Sequence, residues 1–284
     1  MDRTLDDVRS ALAEQHAELW GILEGMDAPG WDRPSLCAGW SVTDVLLHMA
    51  QTEEMALASL EGRFDDASTA LAAGGVETLV DGVDAGAEVD AGADAGDLTV
   101  DDFADLAVQR ERGAPGVKVA ARWKVASDGF LDALAEADGH RRVTWVTGQL
   151  SVLSLATTRL AECWIHTGDI AEPLNVEQVP ADRLRHVARL AWRTLPYAFS
   201  RAGRELTAPV AFHLTGPDGA EWNFDPPAAD DASDEDDAPE ITVVEGDGVD
   251  LVRVAARRIE PEDTGLRATG PDADAVLDLV RTYA

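Results

Sequence analysis

Lysine is nearly missing from this sequence: Lys118 and Lys124 are its only two among 284 residues. Lys plus Arg total 23 against 54 Asp plus Glu, for a formal net charge of −31. A surface of that sign repels phosphate backbones and anionic bilayers, which excludes nucleic acid and membrane as expected partners. Cysteine is as scarce, at Cys37 and Cys163. That excludes a disulfide scaffold and fits a reducing, cytoplasmic setting. No apolar run approaches the ~20 residues of a membrane span. The amphipathic pattern begins directly after Met1-Asp2-Arg3, with no signal-peptide core.

What is present is globular: 45% apolar and 27% charged residues, enough chain to bury a core without staples. High acidity on such a chain reads as halophilic adaptation, where salt screens the self-repulsion. An acidic partner-binding surface is the alternative.

Apolar spacing predicts a helix from Thr4 to about Met26, with Thr4 and Asp7 as its cap and His16 as a surface or partly buried histidine. Asp27-Ala28-Pro29-Gly30 should break it. A packed loop with Trp31, Cys37 and Trp40 follows. Ser41 and Asp44 then open a second helix to about Leu60, carrying His48, with Gln51 and Thr52 as pocket-lining or solvated positions. Residues 62–100 are rich in Ala, Gly and Asp and read as a solvated acidic crossover, or a lid. Their acid repeats lack the spacing of a calcium loop. A short helix is expected at 100–110 and a long one from Pro115-Gly116 to about Ala137. On the latter Arg122 serves either a substrate carboxylate or the solvent. Residues 141–148 read as a linker, and 151–171 as the fourth bundle helix. The fold class is therefore an α-helical N-terminal four-helix bundle over residues 1–178, plus a smaller C-terminal α+β domain over 179–284. The latter should hold a helix at 182–200, a hairpin over 210–225 with His213 facing solvent, a strand at 241–244, a helix at 247–258, a strand at 266–269 and a last helix at 272–283.

The chemistry concentrates in the fourth helix. Glu162 and His166 lie four apart, about 40° around a helical wheel, and Asp169 returns to the same face. A carboxylate and an imidazole at that spacing reach one point. Two readings stay open for the pair alone: a hydrogen-bonded i,i+4 pair, or two ligands of a divalent metal. His48 offers the third ligand from the second helix, and zinc is the expected metal. Three protein ligands leave a position open, as catalytic sites do. Asp169 then orients an imidazole or holds a water. Cys37 is either a nucleophile beside a helix N-terminus or a packed thiol. Cys163 points between helices.

Pro34-Ser35-Leu36-Cys37-Ala38-Gly39-Trp40-Ser41-Val42-Thr43-Asp44-Val45-Leu46-Leu47-His48-Met49, with Arg159-Leu160-Ala161-Glu162-Cys163-Trp164-Ile165-His166-Thr167-Gly168-Asp169-Ile170, resembles the mycothiol-dependent maleylpyruvate isomerase family and its DinB-like metal-binding bundle. Arg183–Ala188 and Leu214–Trp222 resemble its metal-binding branch with an added α+β domain. The resemblance implies metal ligation by His48, Glu162 and His166. It implies a low-molecular-weight thiol as co-reactant and a small electrophilic acid as substrate, with isomerisation or S-transfer as the reaction. A hydrolase using metal-bound water and a non-catalytic metal- or ligand-binding module are the alternatives.

Overall fold

The structure, a computed structural model, describes residues 4–73, 100–146, 148–227 and 240–282. Its N-terminal part is helical and its C-terminal part contains the main sheet. Contacts divide the chain into two units: Met1–Ala156 with His166–Glu177, and Thr157–Ile165 with Gln178–Ala284. Helix α7 runs unbroken through the exchange. No helix among the described residues is long and apolar enough to cross a membrane.

In the first unit, α1 (Leu5–Glu24) starts at Thr4, whose hydroxyl accepts from the Asp7 amide while the Asp7 carboxylate accepts from the Thr4 amide. This reciprocal cap satisfies two amides that a bare helix end leaves open. Val8, Leu12, Leu19 and Leu23 form its buried stripe. His16 is buried with them, 3.6 Å from Glu53 and edge-on to Trp123, so it does not belong to the surface. The packed loop begins with a one-turn helix, α2 (Ala28–Trp31), capped by Asp27. Trp31 lies so close over Gly116 that a Cβ there would meet the indole at 2.4 Å. Ser41 and Asp44 cap α3 (Val42–Leu60) in the expected reciprocal way.

The acidic crossover is shorter than its composition suggests. Phe64–Ala73 is helix α4, because Phe64 and Leu71, seven apart, bury one face with Met55 and Ala107. The acid repeats at 81–97, and the lid reading with them, lie outside the described residues. Helix α5 (Val100–Glu111) leads to α6 (Gly116–Ala135), which buries Val119, Trp123, Ala126, Phe130 and Leu134. α6 packs on α3 and α1.

The segment read as a linker is a hairpin. β1 (Arg142–Trp145) pairs antiparallel with β2 (Gly148–Ser151). Gly148 at φ +108° gives the turn a conformation that side chains with a Cβ resist. Ser151 then caps α7 (Val152–Ala171), and the Gln15 amide donates to Thr167 Oγ1 at 3.2 Å, joining α1 to α7.

In the second unit, α8 (Arg185–Arg201), α9 (Gly248–Ala255) and α10 (Val276–Leu279) accompany a four-stranded sheet. Its order is β4 (Glu221–Phe224), β3 (Val210–Thr215), β5 (Thr242–Asp247) and β6 (Arg267–Thr269). β3 and β5 run parallel; the outer pairs are antiparallel. Phe212, Leu214, Trp222 and Val244 are buried, whereas His213 is exposed beside Asp225, as the alternation predicts. The acidic loop at 230–237 lies outside the described residues. The last helix is far shorter than the expected 272–283. The Asp272 carboxylate accepts from the amides of Thr207 and Ala208 and from the Thr207 hydroxyl, and the Thr282 amide donates to the Ala255 carbonyl. Tertiary bonds thus claim both ends of the segment and leave one helical turn.

Candidate metal centre

His48 lies one turn beyond Asp44 on α3, so the cap that fixes the start of the helix also fixes the height of the imidazole. Trp40, just before that cap, rests its ring 5.4 Å from the His48 ring, and its indole N–H donates to Asp105 of α5 at 2.9 Å. His166 comes from α7. Its ring centroid is 5.2 Å from that of His48, with the planes at 80°. Glu162 stands one turn earlier on α7, half-buried, with Arg159 3.7 Å away. One ligand atom each from His48, Glu162 and His166 lies within 4.8 Å of the others. The two imidazoles proposed from sequence therefore adjoin, with no hydrocarbon layer between them.

Asp169, completely buried, places Oδ2 2.9 Å from His166 Nδ1. An ionised carboxylate only accepts, so this pairing favours an Nδ1–H imidazole, and in the neutral ring the lone pair then sits on Nε2. That is the tautomer a metal ligand needs, and a carboxylate on the far ring nitrogen is the usual support for such a ligand. Two imidazoles and one carboxylate suit zinc and its first-row neighbours. The residues present thus fit a divalent ion.

A second donor group overlaps the first: Cys37, His166 and Asp169 also fall within 4.8 Å of one another. Here the contacts read as hydrogen bonds. The Cys37 thiol donates to Asp169 Oδ2 at 3.3 Å and lies 4.0 Å from His166 Nδ1. Cys163 is fully buried, as its position on the helix predicts.

Three other sequence candidates take structural places. Arg122 is neither solvent-exposed nor available to a substrate: its guanidinium forks onto Glu54 at 2.6 and 2.7 Å and also reaches Glu111. Burial opposes the Arg122 charge, but the two carboxylates outweigh it and raise its pKa above the ordinary value. Gln51 is buried and donates to the Ala107 carbonyl and to Glu111, holding α5 rather than lining a pocket. The Thr52 hydroxyl donates to the His48 carbonyl, inside its own helix. Trp40 and Asp105 had no sequence signal that tied them to His48. For Cys37 the signal was its place just upstream of the N-terminus of the His48 helix, in a loop flanked by Trp31 and Trp40.

Fold and cluster define a class: a helical N-terminal domain with an imidazole–carboxylate–imidazole donor set, followed by a sheet-containing domain. The profile of the mycothiol maleylpyruvate isomerase N-terminal domain family matches residues 12–171. That is more than half of the chain, and the chain belongs to this family. An uncharacterized protein of Mycobacterium tuberculosis, present in two strains, is 27% identical over 278 residues, covering 96% of this chain and 93% of the relative. Crystal structures of the mycothiol-dependent maleylpyruvate isomerase and of a His-to-Ala variant of it share the fold, at TM-score 0.56. They are 16% and 15% identical, with 94% of each chain covered.

Proposed function

We propose that the chain is a divalent-metal enzyme that uses a low-molecular-weight thiol to isomerise, or transfer sulfur to, a small electrophilic acid. The observation that carries this reading is the meeting of His48, Glu162 and His166 donor atoms within 4.8 Å. Family membership over residues 12–171 supports the thiol and the acid. On this reading α1, α3, α6 and α7 form a DinB-like four-helix bundle within residues 1–178, and 179–284 are a second domain. The setting is the cytoplasm, and the net charge of −31 marks a salt-adapted surface.

When bound, zinc supplies Lewis acidity that favours thiolate over thiol. The chain's own residues do the rest. His48 and His166 present neutral imidazole lone pairs, and Glu162 brings one negative charge. Asp169 holds the His166 ring through Nδ1. Trp40 walls one side of His48 and excludes water there.

Elemental analysis of purified protein should give one equivalent of zinc per chain, and Glu162→Ala should lose it. Maleylpyruvate with mycothiol is the first substrate pair to assay, and a chelator should abolish turnover. Full metal in Glu162→Ala overturns the ligand set. Thiol-independent hydrolysis replaces the reaction with a metal-dependent hydrolase, and silence across thiols and electrophilic acids replaces it with a binding module.

A further inference from the structure

We propose that Asp105 is a positioning residue: its carboxylate holds the Trp40 ring beside His48, so that α5 sets how much room is left next to that imidazole. The consequence for ligands rests on His48 being a metal ligand; the placement of the ring does not. The Trp40 and His48 ring centroids are 5.4 Å apart, with the planes tilted at 52°, a spacing at which two rings touch. The indole N–H donates to Asp105 Oδ1 at 2.9 Å. Gln109, one turn further along α5, donates to Asp105 Oδ2 at 2.7 Å. The carboxylate is thus engaged through both oxygens, and Oδ1 is aimed at the indole. A hydrogen bond to an ionised acceptor is about twice as strong as a neutral one. Here it anchors the far edge of a ring that could otherwise swing about its side-chain torsions.

α5 is itself anchored to the elements that carry the two rings. The Gln51 side chain of α3 donates to the Ala107 carbonyl at 3.1 Å. Arg112, directly after α5, donates Nε to Asp44 Oδ1 at 3.0 Å and reaches the Gly39 carbonyl at 3.3 Å. One helix therefore grips the Trp40 ring at Asp105 and the preceding backbone at Arg112. The Trp40 backbone is closed on its own loop: its amide donates to the Cys37 carbonyl at 3.0 Å, and its carbonyl accepts from the Ser35 amide at 2.9 Å. Indole has a single polar group, a donor, and Asp105 takes it. What the ring presents toward His48 is carbon, which limits the size of a neighbouring ligand and offers it no hydrogen bond.

The first test uses metal-free protein and NMR. The Trp40 ring current should displace the His48 ring C–H resonances, and the bonded indole N–H should exchange slowly; Trp40→Ala calibrates the displacement. Asp105→Ala should lose most of that displacement and exchange the indole proton about tenfold faster, the factor that a lost bond to a charged acceptor corresponds to. Asp105→Asn keeps an acceptor and should restore both signals. Asp105→Leu, of similar size without an acceptor, replaces the alanine variant if the latter folds poorly. In zinc-loaded protein, the preference for 2-mercaptoethanol over the bulkier benzyl mercaptan should fall about tenfold in Asp105→Ala, the lower end of what pocket shape achieves. Wild-type His48 shifts and indole exchange in Asp105→Ala, or an asparagine variant as impaired as the alanine one, overturn the proposal. An unchanged thiol preference overturns its consequence for ligands. Should wild type bind no zinc, the metal reading falls, and the metal-free spectra alone decide the role of Asp105.

Discussion

The two units bury polar groups for different ends. In the C-terminal unit the buried carboxylate of Asp272 is met by the amides and hydroxyl of a neighbouring loop, and the result is a closed structural knot. In the helical unit, carboxylates and imidazoles are buried in pairs that face one another: Asp169 with His166, and Glu53 with His16. On the proposed reading, charge-bearing groups brought together at such cost are where the chemistry is done.

The comparison breaks most visibly at Glu162. The alanine variant should lose all stoichiometric metal, while no substitution in the four-stranded sheet or in α8, α9 and α10 should change metal content. Next in size is Arg122→Ala. It leaves Glu54 and Glu111 facing each other without their shared cation, and urea denaturation should show a loss of about 3 kcal/mol. Asp272→Ala should cost about 2 kcal/mol, because several donors lose a charged acceptor at once. Burial alone raises the Asp272 pKa, but the bonds from Thr207 and Ala208, with the charge of Arg204, outweigh it and lower the value. A lowered folded pKa contributes stability above the unfolded value, which is lost as pH falls through the folded one. The deficit of Asp272→Ala should therefore be complete at pH 7 and shrink below about pH 4, as melts across pH will show. Smallest is His213→Ala. It removes an exposed pair with Asp225, and its effect on melting should stay within about 0.5 kcal/mol.

Much of the candidate centre was legible because helices project side chains with a fixed period. Glu162, His166 and Asp169 needed only the helical repeat, and His48 stood out as an imidazole inside an apolar helix. Capping by Thr4 and Ser41 was readable for the same local reason. What escaped depends on contacts far apart in sequence. Phe64 and Leu71 look unremarkable among Ala and Asp until Met55 and Ala107 cover them. Val143-Thr144-Trp145 carries β-forming residues, but a strand this short needs its partner before it exists. Arg122 has the same sequence environment whether it faces water or two carboxylates, and only the approach of α3 and α5 decides. The last helix was overestimated because nothing local announces that Asp272 is claimed by Thr207.

The loop around residues 34–41 touches three elements: α3 through the Trp40–His48 contact, α5 through Asp105, and α7 through Cys37 and Leu36. Thermodynamic linkage follows from that wiring. On the proposed reading, an ion held between the two imidazoles would stabilise the docked position of α5, and undocking α5 would weaken its hold by the same factor. The helix that follows residues 74–99 would then take an energetic part in ligation, though it supplies none of the three proposed ligands.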